Sequence, residues 1–221
     1  MAKRTKSSQR WLERQKRDQY VKKAASGGLG SRAHFKLSQL DERFSLLRPH
    51  MWVLELGAAP GGWTRYLAGR LSGGRVVAVD YRPMQVPAGV VFLELDIYAD
   101  EYIAAVNDAL GARQVDLVLS DMSPNISGVK AADQAAAMDL IDLATDSAMR
   151  WLKPGGAMVV KMFHGQGVDD WIKRMRRCFA KVMLAKPAAS RAESREVYGI
   201  ATGFTGGVPA DTFSVAAPGE V

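Results

Sequence analysis

The chain of 221 residues has one cysteine, Cys178, and only three histidines. A lone thiol cannot form an internal disulfide, so stability must come from a core, and a reducing cytoplasmic setting is expected. His34, His50 and His164 are too scattered to suggest a metal cluster, and a structural zinc site would need more Cys or His ligands. No apolar run approaches the roughly 18 residues of a membrane span. The N-terminal MAKRTKSSQRWLERQKR has no apolar centre of an export signal. No G-x-x-x-x-G-K-[ST] loop occurs, which argues against a nucleoside triphosphatase. What is there, 48% hydrophobic and 24% charged residues, is the balance of a soluble globular domain with enough chain for one core.

The net charge of +7 is concentrated at one end. Residues 1–23 carry nine basic side chains against two acidic ones, Glu13 and Asp18, which accounts for the whole excess and leaves the rest neutral. A neutral globule with a cationic arm suits a polyanionic partner, although a solvated tail has the same composition. Trp11 and Tyr20, set within the basic run, favour RNA, because aromatic rings stack on unpaired bases while Lys and Arg hold phosphates. Residues 1–30 therefore read as a basic arm ending in the hinge Ser26-Gly27-Gly28-Leu29-Gly30. Residues 31–205 read as the folded domain, and 206–221, rich in Gly, Ala and Pro, as a flexible tail.

Within the domain, Ser31 is placed to cap a helix over about Arg32–Phe44, with Ala33, Leu37, Leu40 and Phe44 as its apolar stripe. Strands are predicted at Trp52–Leu56, Arg75–Asp80, Val90–Leu95, Val115–Ser120 and Gly156–Phe163. Helices are predicted between them at Gly62–Leu71, about Asp100–Leu110 and Ala131–Leu152, the last closed by Lys153-Pro154-Gly155-Gly156. A helix over Val168–Phe179 and late strands at Lys181–Ala185 and Val197–Phe204 complete the pattern. Alternation of this kind, with continuous runs such as Val-Val-Ala-Val, predicts an α/β fold: a doubly wound, Rossmann-like parallel sheet with helices on both faces.

Glycines in Leu56-Gly57-Ala58-Ala59-Pro60-Gly61-Gly62-Trp63 fall at the carboxyl end of the first strand, where doubly wound sheets bind ligands. Asp80 ends the second strand, where a carboxylate can accept ribose hydroxyls, and Asp96 follows the third, within reach of an adenine edge. Gly57, Gly61, Asp80 and Asp96 thus outline a pocket for an adenosine-containing cofactor, with Trp63 packed around it. A dinucleotide would call for G-x-G-x-x-G, but Ala59 stands at the middle glycine and Pro60 lacks an amide for a phosphate. A cofactor without phosphates fits better, and S-adenosylmethionine is the common one.

Together with Ser120-Asp121-Met122-Ser123-Pro124-Asn125, Val160-Lys161-Met162-Phe163, Ser31-Arg32-Ala33-His34-Phe35-Lys36-Leu37 and Ser194-Arg195-Glu196-Val197-Tyr198, this loop closely resembles the FtsJ/RrmJ (RlmE) ribosomal RNA 2′-O-methyltransferases. The resemblance spans about residues 10–205. It implies the methyltransferase variant of the sheet, with Val197–Phe204 antiparallel near one edge, and a catalytic tetrad of Lys36, Asp121, Lys161 and Glu196. It also implies methylation of a uridine ribose in large-subunit ribosomal RNA, within the 50S particle.

Lys161, at the polar end of an apolar strand, is the candidate general base, and Asp121 would orient it and favour a sulfonium in the cofactor site. A free lysine titrates near ~10.4, so bringing Lys161 to neutral pH requires about 4 kcal/mol of differential destabilisation of its charged form. Burial and a neighbouring Lys36 cation are expected to supply it, with carboxylates opposing. Lys36 borders the buried stripe of its helix, three residues after Ala33 and four before Leu40. Glu196 is expected to fix a lysine or the substrate ribose. Lys173, Arg174, Arg176, Arg177 and Lys181 form either a solvated face or a second RNA contact. The expected enzyme is a monomer without membrane association; a transfer RNA ribose methyltransferase, a dinucleotide-dependent oxidoreductase and an inactive RNA-binding factor are the competing readings.

Overall fold

The structure, a computed structural model, describes residues 18–29, 31–165 and 167–207. Most of the basic arm and the tail beyond 207 lie outside the described residues. In chain order the elements are α1 (Gln19–Ser26), α2 (Ala33–Phe44), β1 (Trp52–Leu56), α3 (Gly62–Arg70), β2 (Arg75–Asp80), β3 (Val90–Glu94) and α4 (Tyr102–Leu110). They continue with β4 (Val115–Ser120), α5 (Lys130–Trp151), β5 (Leu152–Phe163), α6 (Val168–Met175), β6 (Phe179–Ala185) and β7 (Glu196–Phe204).

The seven strands form one sheet in the order β3-β2-β1-β4-β5-β7-β6. The β3-β2-β1-β4-β5 ladder is parallel throughout. β7 is antiparallel to both neighbours, inserted between β5 and the edge strand β6. Inner strands such as β1 and β4 are buried on both faces, in keeping with their Val/Leu-rich sequences. One face packs Leu37, Leu40, Trp63 and Leu67 of α2 and α3 on the sheet. The other packs Tyr102, Ile141, Ala144 and Trp171 of α4, α5 and α6. This is the three-layer arrangement that alternating strands and amphipathic helices predict. The strand order reverses between β1 and β4, which opens a crevice at their carboxyl ends.

Among the boundaries that differ from expectation, three are informative. Lys153-Pro154-Gly155-Gly156 is not a turn before β5: α5 ends at Trp151 and β5 starts at Leu152, with a register irregularity opposite Val115–Leu117. A bulge absorbs Pro154 and Gly155, because a proline and a glycine are tolerated where the ladder is interrupted. The late helix stops at Met175 rather than Phe179, and Phe179 instead begins β6. Ser31 accepts the Ala33 amide at 3.2 Å, while the helix cap itself falls on Arg32.

Part of the arm is also a helix. α1 is capped by Asp18, whose carboxylate accepts from the Tyr20 amide at 3.0 Å and pairs with Arg32 and Arg191. Arg32 reaches on to the Ala189 carbonyl, so α1 is tied to the segment preceding β7. No described helix is long and apolar enough to cross a membrane.

Candidate active site

The glycine loop after β1 is held by the neighbouring strand: Gly57 and Ala58 amides both donate to the Val79 carbonyl, at 2.9 and 3.1 Å. Gly57 has φ +75°, and a methyl group on its Cα would come within 2.7 Å of Met122 Cγ. Only glycine allows both that turn and that approach. Asp80 accepts the Ala59 amide at 2.9 Å and is covered from solvent by Arg82, whose Nε lies 3.2 Å away. Gly61 adopts φ +93° and caps α3, directing the first-turn amides of that helix toward the loop.

These strand ends enclose a cleft of about 740 Å³, within the roughly 300–1,000 Å³ of small-molecule sites. Gly57, Asp80, Asp96, Asp121 and Lys161 all line it, and Leu95, Ile97 and Met122 supply apolar wall. Gly61 and Trp63 are not among its lining residues. The Trp63 indole is buried instead between α2 and the sheet, donating to the Ala33 carbonyl at 2.8 Å and packing on the Tyr198 ring at 5.7 Å. Its side chain therefore braces α2, the helix that carries Lys36.

Lys36, Asp121, Lys161 and Glu196 meet at one end of this cleft. β5 and β7 pair with Lys161 opposite Tyr198 and Phe163 opposite Glu196, and Asp121 follows β4 immediately beside Lys161. The Lys161 amine stands 3.4 Å from an Asp121 carboxylate oxygen and 3.6 Å from Glu196. Glu196 holds Lys36 at 2.8 Å. All four side chains are less than a fifth exposed. Four charges can share so dry a place because they sum to zero and each has an opposite partner.

Electrostatics correct one expectation. Burial pulls the Lys161 pKa down, but the Asp121 and Glu196 carboxylates more than reverse it, so the amine titrates above its ordinary value. Lys36 does not act as the depressing cation: its charge is taken up by Glu196. For Asp121, burial opposes ionisation, yet Lys161, Lys36 and the Tyr198 hydroxyl hold it below the usual carboxylate range. Burial likewise disfavours ionised Glu196, and Lys36 and Lys161 outweigh it. The resting site interleaves two amines with two carboxylates, each amine within ion-pair distance of a carboxylate.

Two residues to which sequence reading assigned no role complete the group. Tyr198 donates to Asp121 at 2.7 Å, and its ring lies 5.8 Å from the Lys36 amine. Its signal was present, since Tyr198 follows Glu196 by two along a strand and so shares its face. Ser190 donates to Glu196 at 2.7 Å from an irregular segment that no periodicity marks. The late basic cluster is partly neutralised, with Arg174 paired to Asp142 and Lys173 to Asp170. Cys178 is a buried free thiol. Among the described residues no cluster of His, Cys, Asp or Glu is arranged to hold a metal ion.

Comparison with known proteins agrees with this architecture. A solved chain described as a ribosomal RNA methyltransferase from Plasmodium falciparum superposes with a TM-score of 0.71 at 23% identity, covering 79% of this chain and 98% of that one. A Ribosomal RNA large subunit methyltransferase E from Cellvibrio japonicus is 50% identical over 205 residues, 92% of this chain and 97% of the relative. Its namesake from Stutzerimonas stutzeri is 49% identical over 206 residues, 92% of this chain and all of the relative. The family model for FtsJ-like methyltransferases matches residues 29–204, which is most of the chain. The chain belongs to the FtsJ-like methyltransferase family.

Proposed function

We propose that the protein transfers a methyl group from S-adenosylmethionine to the ribose 2′-hydroxyl of a uridine in large-subunit ribosomal RNA, acting on the assembled subunit. The observation that carries this reading is the Lys161 amine, held between Asp121 and Glu196 at the mouth of a cleft sized for an adenosine-bearing ligand. The names borne by relatives at about half identity over nearly their full length point to the same RNA.

The cleft suits a cofactor without phosphates. Its Gly57 turn packs directly against Met122 of the cleft wall. Its lining sets the carboxylates Asp80, Asp96 and Asp121 against the cations Arg82 and Lys161, which are themselves paired to Asp80 and Asp121, so the carboxylates are placed to attract hydroxyls, amines or a cation. Asp80 would accept the ribose hydroxyls once Arg82 yields one oxygen, and Asp96 the adenine amine. Gly57 and Gly61 would bring backbone close, and Trp63 would contribute its amide from the first turn of α3. Bound there, S-adenosylmethionine supplies an activated methyl group and a positive sulfonium.

The protein's own task is the hydroxyl, which is a poor nucleophile until its proton leaves. Lys161 begins as an ammonium, so it must first give up a proton to the water that reaches the open cleft. Any cation on the cleft side of Asp121 competes for that carboxylate and favours the neutral amine. Neutral Lys161 then takes the hydroxyl proton, while Glu196, fixed by Lys36 and Ser190, keeps the amine aimed. Methyl transfer completes the displacement, and the site returns to its ammonium form.

The test is incubation of the protein with labelled S-adenosylmethionine and large subunits from cells lacking it, followed by mapping of the methyl group. Label on one uridine ribose is expected, abolished by Lys161→Ala with cofactor affinity by calorimetry little changed. Label on a base, or wild-type turnover by Lys161→Ala, would refute the assignment.

A further inference from the structure

A second hollow lies beside the tetrad and is used by none of the roles above. It measures about 170 Å³, is walled by Pro124, Ile126, Ala137 and Phe163, and has Lys130 and Arg195 at its exposed rim. Pro124 also borders the large cleft, so the two spaces share a wall. Phe163 follows Lys161 by two residues on β5, and the Lys161 amine is 6.0 Å from the centre of the Phe163 ring. The outer wall is firmly built. Asp133 accepts from the Ser127 amide at 2.7 Å, the Ser127 hydroxyl at 2.6 Å and the Gly128 amide at 3.1 Å, folding the segment before α5 back onto that helix. Ile126 is consequently presented with 68% of its surface exposed, although it lines a concave space.

Size, lining and position together select a ligand. An apolar cavity of about 150 Å³ accommodates a single benzene ring, so this hollow is sized for one six-membered ring. Its walls are mainly an aromatic face, a proline and aliphatic carbon, which suit stacking, with Gln134 as a polar side chain that can meet a base edge. The Asp133 carboxylate is engaged by its own loop, and Lys130 and Arg195, the latter also donating to the His164 carbonyl, put positive charge at the rim for a phosphate beside the ring. A ribose whose 2′-hydroxyl meets the Lys161 amine carries its base on the adjoining carbon, within the reach that separates the amine from Phe163.

We propose that this hollow seats the pyrimidine base of the nucleotide whose ribose is methylated, stacked on Phe163, and that it makes the enzyme select pyrimidine over purine at that position. The inference rests on the ribose-methylation reading above. Flipped into the hollow, the base fixes the sugar, so the hydroxyl is aligned on the amine before the methyl moves.

The test uses large subunits carrying U, C, A or G at the mapped position, with single-turnover methylation followed for the wild-type chain and for Phe163→Ala and Phe163→Tyr. The pyrimidine particles should react at least roughly tenfold faster than the purine ones. Phe163→Ala should lose roughly 5- to 150-fold in kcat/KM, the range for removing one base–aromatic stack, with cofactor affinity unchanged and Phe163→Tyr close to wild type. Ribose methylation that proceeds equally on purines, or that is indifferent to Phe163→Ala, would overturn the base pocket while leaving the reaction assignment intact. A methyl group found on a base would sink both. The comparison of the four particles needs only the wild-type chain, so it decides even if a variant folds poorly.

Discussion

Replacing Lys36 by methionine removes one member of a buried pair while keeping the bulk of its stem. The Lys36 amine and Glu196 carboxylate are 2.8 Å apart, and their side chains are only 10% and 9% exposed. Breaking such a pair from one side costs about 3–5 kcal/mol, because the remaining charge stays in a dry place. Glu196 would keep the Ser190 hydroxyl at 2.7 Å and Lys161 at 3.6 Å, which places the expected loss at the low end, about 3 kcal/mol. For a chain of this length that lowers Tm by about 6–12 °C. Removing the second charge as well, in Lys36→Met/Glu196→Gln, should recover part of the loss. The pH dependence has a definite sign. Glu196 titrates below its ordinary value when folded, so its contribution is present above the ordinary carboxylate range and disappears as pH falls through the folded value. The gap between wild type and Lys36→Met should therefore narrow on acidification. Thermal melts of the three proteins from neutral to acidic pH measure all of this. A single variant melting within a degree or two of wild type, or a double variant less stable than the single, would refute the picture of an interdependent charge group.

Gly57→Ala should cost about 1–2 kcal/mol for the left-handed backbone alone, plus the displacement of Met122, and should weaken cofactor binding; melts and calorimetry would register both. Glu55, buried in β1 with Thr64 as hydroxyl donor at 2.8 Å, has its pKa raised to about 8, chiefly by burial. Below that value the folded state keeps a proton that the unfolded chain has already lost, so stability falls as pH climbs from the ordinary carboxylate range to about 8. Glu55→Gln should flatten that fall, which chemical denaturation between pH 5 and 9 would reveal as a growing advantage that levels off above about 8. Deleting residues 1–17, which hold most of the arm's cations, should flatten the salt dependence of RNA binding, by ~0.7–0.9 in log–log slope for each phosphate the arm had neutralised. An unchanged slope would make the arm a tail.

The sheet was legible because its signals are local and repeated. Val76 to Val79 can only be a strand buried on both faces, and the glycine loop and Asp80 mark where such strands end. The tetrad could be located through motifs, and Lys36 through its place on the edge of a helical stripe. What escaped was whatever depends on neighbours distant in the chain. Trp63 sits next to the glycine loop in sequence, but its indole is drawn to α2 by the Ala33 carbonyl. Pro154 and Gly155 spell a turn locally, but pairing with β4 keeps them in the ladder through a bulge. The balance of charge at Lys161 depends on how many carboxylates reach it, which only the fold decides. The second hollow is invisible in sequence because its walls come from β5, α5 and two loops.

The placement of β7 has a consequence for how the enzyme comes into being. This last strand is threaded between β5 and β6, and it brings Glu196 and Tyr198 with it. During synthesis, everything up to the penultimate strand emerges from the ribosome with two raw edges facing each other and one of the four charges missing. Closure of the gap and birth of activity are thus a single late event, reached only when the final segment of the domain is free to pair. A chain that stops short of this strand is left with a divided sheet and no assembled charge group.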